Sequence, residues 1–163
     1  MKSSQDTTIV GRDVIIVFGY QSPSEFYYAH LSKDNTVLVH NGIFVVDNAD
    51  RRRIDHQGLE NAPQARLTDT AWHQVRIDRD AESGSISVFM DDLRVPLMTA
   101  TDTTFRSGAI GFGSFDDTGA IRDVRYTEGP APLLDPIPGH PQNAELAIQL
   151  APFATIPASD TTG

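Results

Sequence analysis

Trp72-His-Gln-Val-Arg-Ile-Asp-Arg-Asp-Ala-Glu-Ser-Gly-Ser-Ile-Ser-Val-Phe-Met-Asp-Asp92 is the stretch whose reading decides the fold. Val75 and Ile77 alternate with Gln74, Arg76 and Asp78, and later Ile86, Val88 and Met90 alternate with Ser85, Ser87 and Phe89. That period of two belongs to half-buried strands. Between the two runs lies Ala81-Glu-Ser-Gly84, and Gly84 can take the positive φ a tight reversal needs. The stretch predicts a β-hairpin with Val75, Ile77, Ile86 and Val88 turned to a core.

The same alternation extends outward in both directions. Asp13 to Tyr20 is β-branched and apolar on both faces, as in a strand covered on both sides. Pro23 marks a turn, and in the following run Phe26, Tyr28 and His30 share one face while Tyr27, Ala29 and Leu31 share the other. Val37 to His40 and Ile43 to Val46 flank Asn41-Gly42, a dipeptide that favours hairpin turns. Residues 47 to 70 are polar and aperiodic, a long excursion with short irregular strands. Beyond the hairpin, Val95 to Met98 is extended, Gly108 to Phe115 is a glycine-rich strand, and Ile121 to Tyr126 is the last clear one. The prediction is all-β: an antiparallel two-sheet β-sandwich over residues 13–128. Residues 1–12, rich in serine and threonine, form a flexible lead. Residues 129–163 form a Pro-rich tail or linker, with seven of the ten prolines and no lysine or arginine. Within it Asn143 to Leu150 suits either two helical turns or an extended arm.

Composition narrows the function. The 163 residues carry a formal net charge of −9, which opposes nucleic acid and anionic membrane surfaces. No apolar run is long enough to insert into a membrane, and export would need a signal upstream of Met1 to place the protein in the periplasm or outside the cell. There is no cysteine, so redox compartment is not legible. Arg51-Arg-Arg53 is the one basic run, able to grip a sulfate or carboxylate or to stand as a solvated loop.

Phe26-Tyr-Tyr-Ala-His-Leu31, Trp72 to Ile77 followed by Gly84 to Asp92, and Gly108-Ala-Ile-Gly-Phe-Gly113 together resemble the concanavalin A-like jelly rolls. Within these they are similar to laminin G-like domains and to bacterial 3-keto-disaccharide hydrolase-type domains. The resemblance covers roughly residues 13 to 126. It implies strands ahead of Val14 to Tyr20, one of them pairing near the C-terminal strand, and residues 1 to 12 offer no room for them. The sandwich is therefore expected to lack its first strands. Its open sheet edge then pairs with the tail or with another chain.

The resemblance also places Tyr28 and His30 on an outer sheet where jelly rolls bind saccharides. Aromatic rings stack on sugar C–H faces, while imidazole and guanidinium bond the hydroxyls. The expected ligand-binding set is Tyr20, Tyr28, His30, His40, Arg52 and Arg53, with an oligo- or polysaccharide as partner. Trp72 reads as a core plug ahead of a sugar platform. Asp91-Asp92 are adjacent, so they point to opposite faces and cannot flank one glycosidic bond. No nucleophile motif or phosphate loop occurs. Calcium is a candidate cofactor, with Asp116 and Asp117 as candidate ligands and Asp47 to Asp50 as an alternative. The expected function is carbohydrate binding beside polysaccharide degradation. Its rivals are a glycoside-cleaving enzyme using His30 as catalytic acid or base and an adhesion or assembly module without a sugar ligand.

Overall fold

The computed structural model describes residues 1–35, 39–55, 66–115, 117–128 and the strand at 148–149. Its strands are β1 (Lys2–Ser3), β2 (Asp13–Ser22), β3 (Glu25–Ser32), β4 (Gly42–Asp47), β5 (Arg52–Arg53), β6 (Val75–Arg79), β7 (Ser85–Met90), β8 (Met98–Thr101), β9 (Ala109–Gly113), β10 (Gly119–Ile121) and β11 (Ile148–Gln149). They form a five-stranded sheet in the order β5-β4-β3-β2-β9, a three-stranded sheet β6-β7-β8, and a small sheet β1-β10-β11. Every pairing is antiparallel. The protein is an antiparallel all-β sandwich.

The hairpin forms as its alternation predicts, with Val75 opposite Met90 and Ile77 opposite Val88. Asp80 caps the turn by accepting from the Glu82 and Ser83 N–H groups, and Gly84 has a φ of 76°. Ile86, Val88 and Met90 meet Val14, Phe18, Tyr27, Ala29, Leu31, Ile43 and Val45 of the large sheet in one buried cluster. Val75 and Ile77 are only half-buried because β6 is an edge strand. A fully buried aliphatic side chain stabilises by about 1.5–3 kcal/mol, so β6 is held by less than β7.

One side of the sandwich is closed. Asp55, just after β5, makes a bridge to Ala100 of β8 and joins the two sheets there. On the opposite side β9 and β6 are both edges, and among the described residues neither has a second strand partner.

Three expectations are corrected. The lead is anchored: Lys2 and Ser3 pair with Ala120 and Gly119, Met1 lies in the core, and Arg12 is fully buried. The Met1 ammonium donates to the His73 carbonyl at 2.7 Å, and burial pulls its pKa down to about 6. A two-residue strand shows no period in a sequence, which is why a polar composition masked it. Asn41-Gly42 makes no two-residue hairpin; β3 pairs directly with β4, and Val37 and Leu38 lie outside the described residues. Gly42 instead makes room for Arg53, whose guanidinium carbon would sit 2.9 Å from a Cβ there. Asn41, at φ 48°, accepts from the Ser32 N–H at 2.8 Å and donates to the Asp34 carbonyl at 2.7 Å, closing the loop after β3. The last expected strand stops at Ile121. Asp123 turns the backbone at φ 54°, which leaves Val124 and Tyr126 47% and 70% exposed. At 148–149 the tail is extended and pairs with β10, one of the alternatives expected for it, with Ile148 opposite Ile121 in β11; the rest of the tail lies outside the described residues.

A Cβ at position 84 would lie 2.7 Å from the Asp102 carbonyl oxygen on a backbone that L-residues avoid. Gly84→Ala is expected to lower unfolding stability by about 2 kcal/mol. Urea titration measures it, and an unchanged midpoint would show that the turn adapts.

Candidate functional site

β2, β3 and β4 set Ile15, Val17, Phe26, Tyr28, Phe44 and Val46 on the face of the large sheet turned away from the sandwich core. Tyr28 stacks on Phe44 at 5.0 Å, and the row continues to His30 at 6.3 Å and to Phe26 at 6.1 Å. His40 lies 5.1 Å from His30, and half-buried Tyr20 lies 6.0 Å from Phe26. The alternation therefore brings the expected residues together, but on a covered face. Tyr28 is 0% exposed and His30 1%. Phe115 sets its edge against Tyr28 and its ring 5.3 Å from His30, while Arg51 lies over Phe115 and Arg53 over Phe44. A face this aromatic is too apolar to stay wet, and it closes into a second core. The expected saccharide-lining row is corrected to a structural one. Burial lifts the Tyr28 hydroxyl to about 12, with Arg51 offsetting part of the rise without aligning as a hydrogen-bond donor.

His30 is likewise committed to the fold. Nδ1 lies 2.9 Å from the Val39 carbonyl and Nε2 3.0 Å from Asp13 Oδ2. Both ring nitrogens are thus occupied by protein oxygens, and neither faces a substrate. His40 stands beside it with Nε2 3.5 Å from Asp34; burial and the neighbouring His30 lower its pKa.

Asp13 is the centre of this arrangement. Its carboxylate accepts from His30, from Ser114 Oγ and from the Phe115 N–H at 3.0 Å. Burial pushes its pKa up, and the hydrogen bonds from His30 and Ser114 more than offset that, leaving it below the ordinary carboxylate range. Serine, aspartate and histidine meet here in the wrong order for a nucleophile, because the carboxylate separates Ser114 from the imidazole. Ser114 Oγ in turn accepts from the Asp117 N–H at 2.6 Å, Asp117 accepts from Ser3 Oγ, and Ser3 Oγ accepts from Arg12 Nε at 3.0 Å.

Asp117 is thus turned inward and used by Ser3 and the Thr118 N–H, which corrects its reading as an outward calcium ligand. Asp116 lies outside the described residues. Asn48, in the alternative acidic turn, clasps Ser24 and Glu25. Among the described residues no group of three or more His, Asp or Glu is arranged for a metal ion.

The basic run divides rather than converging. Arg52 reaches Asp102 at 3.3 Å, a carboxylate that also accepts from Tyr27 Oη at 2.6 Å, whereas Arg53 pairs with Asp55 at 2.8 Å. Arg53 joins the His40 side by donating to the His40 and Asn41 carbonyls; Arg52 does not.

A cleft of about 1220 Å³ opens instead on the side between β9 and β6, where no site residue was expected. Its floor is sandwich interior: Ile16, Phe18 and Phe112 from one sheet, Val75 and Ile77 from the other. Its rim carries Ile110, Val124 and Tyr126, three of the six large apolar residues exposed among the described residues. Trp72 stands on the same rim with two cations over its ring, Lys2 at 5.0 Å and Arg122 at 4.1 Å. His73 bridges Asp91 at 2.9 Å and Asp69 at 3.1 Å and fixes the rim. No motif in the sequence marks this cleft.

Comparison with protein-family models, with curated proteins and with solved structures gave no match. The class that the geometry defines is an all-β antiparallel sandwich, with one side open among the described residues. No described helix is long and apolar enough to cross a membrane.

Asp13 makes stability acid-sensitive with a definite sign. A carboxylate held below its unfolded pKa contributes stability that is full above the unfolded value and is lost as pH falls through the folded one. Unfolding stability is expected to drop below about pH 4. Asp13→Asn should destabilise at neutral pH and flatten that drop; a variant with the wild-type acid profile would remove Asp13 from the role given to it.

Proposed function

We propose that the protein is a non-catalytic assembly module that takes an extended polypeptide strand into its open side. The observation that carries this reading is the cleft itself, an apolar interior floor flanked by two strand edges that have no further partner among the described residues. Such edges offer a row of backbone donors and acceptors, and an added strand satisfies them while its alternate side chains fill the floor. The groups once expected to do chemistry are closed into the fold, which favours binding over turnover.

A fluorescein-labelled peptide of alternating valine and threonine serves as the probe, followed by anisotropy on dilute protein. Ile110→Lys, a change at an exposed edge position, is expected to weaken binding by at least about tenfold. Absence of peptide binding by the wild type would overturn the reading.

A saccharide reading keeps one supporting observation. The rim pairs Arg76 with Asp78 at 3.0 Å and Arg122 with Asp123 at 3.6 Å beside the exposed Tyr126 ring, a mixture suited to sugar hydroxyls and C–H faces. Under this reading the module would serve polysaccharide degradation from the cleft rather than from Tyr28 and His30. A glycan array with neutral and acidic oligosaccharides tests it: binding that Tyr126→Ala reduces supports it, and retention of no glycan sinks it.

A further inference from the structure

We propose that the strand taken up along β9 is the C-terminal end of a partner polypeptide, with its terminal carboxylate seated at Arg79 and Arg106; this rests on the strand-uptake reading above. Arg76, Arg79, Arg106, Arg122 and Arg125 line the cleft against four acidic residues, so the cleft is net positive on a chain of net charge −9. A negative group that the rest of the surface repels is drawn to this side.

The attraction is concentrated at one end. Arg76 is neutralised by Asp78 at 3.0 Å and Arg122 by Asp123 at 3.6 Å. Arg79 and Arg106 pair with no carboxylate among the described residues. Half-buried Arg79 is the sharper case. Its guanidinium carbon lies 4.6 Å from the centre of the Tyr27 ring, Nη2 donates to the Phe105 carbonyl, and Nη1 is left buried without a hydrogen-bond partner. A guanidinium with an idle donor and no counter-charge is stabilised by an acceptor that brings the charge, and a carboxylate fits its fork. Arg79 lines the cleft, so an occupant reaches it from that side.

Position and direction select a terminal carboxylate over an acidic side chain. Gly108, just ahead of β9, lies against Gly19 and Tyr20, and Gly19 lies against Tyr27 and Phe105. Arg79 meets the same Tyr27 and Phe105, and Arg106 is the next residue, so both cations stand where β9 begins. Every strand pairing described is antiparallel. A strand added antiparallel to β9 runs toward Ala109 and finishes at these two arginines. Capture of its end fixes the register of a strand whose backbone bonds alone would let it slip.

The valine–threonine peptide, labelled at its amino end, is made with a free terminal carboxylate and as the amide. The free acid is expected to bind the wild type at least about tenfold more tightly, with the difference shrinking at high salt. Arg79→Gln should bring the free acid down to the affinity of the amide and leave the amide's own affinity unchanged, which also shows that the variant is folded. Arg106→Gln, at an exposed position, should narrow the difference, and Arg94→Gln, whose side chain is 90% exposed away from the cleft, should not. Equal binding of acid and amide, or a difference that survives in both Arg79→Gln and Arg106→Gln, overturns the carboxylate seat and leaves strand uptake standing. Binding of neither peptide overturns both readings. An amide with an internal glutamate that binds as tightly as the free acid gives the site to an acidic side chain and overturns the terminal one. Affinity for the free acid that falls as the protein is concentrated gives the cleft to a second copy and overturns the partner.

Discussion

The buried carboxylate of Asp13 is the constraint on which the rest of this sandwich depends. It is 2% exposed, at the start of β2, and a charge so placed is tolerable only when it is fully bonded. Its three donors come from two distant pieces of chain: His30 on β3, and Ser114 and Phe115 just after β9. Hydrogen bonds to a charged group contribute about 1.5–3 kcal/mol each, more than a surface pair of charges supplies. The bonds also carry information about placement. Through His30 the carboxylate holds the Val39 carbonyl and so the loop after β3; through Ser114 and Asp117 it reaches Ser3 and Arg12 and docks the N-terminal strand.

That same hub decides which edge of the molecule stays open. Ser114 and Phe115 pin β9 against β2, so β9 is ordered on one side and presents its other side. Closure by Asp55 and Ala100 happens at the far side of the sandwich, and nothing equivalent joins β9 to β6 among the described residues. The outcome is an interior whose apolar residues are fully covered near β8 and only half-covered near β6. Val75 and Ile77 record the difference, since Ile86 and Val88 on the neighbouring β7 are completely buried.

How far the sequence could be read follows from the range of the interactions involved. Period-two alternation is local, so the hairpin from Val75 to Met90, the two faces of Glu25 to Ser32 and the turn glycine at 84 were legible, and with them the all-β sandwich. Whether a face is covered is not local. Tyr28 and His30 were placed on the right face and with the right neighbours, yet Phe115, Arg51 and Arg53 arrive from distant chain to roof them. Gly42 shows the same limit in miniature: a turn dipeptide by composition, it is required by the guanidinium of Arg53, eleven positions along the chain. The inward turn of Asp117 depends on Ser3, at the other end of the domain. The cleft has no motif, because it is built from ordinary core residues that lack a neighbour among the described residues.

Residue-resolved amide hydrogen exchange across β9 tests this account most directly. If β9 is pinned to β2 on one side and open on the other, its amides bonded to β2 are protected with or without the valine–threonine peptide. Those on the outer edge exchange rapidly in dilute solution and gain protection when the peptide is added. Uniform protection of both sets in dilute solution would mean that the edge is already covered within one chain, and would contradict the open side on which the functional reading rests.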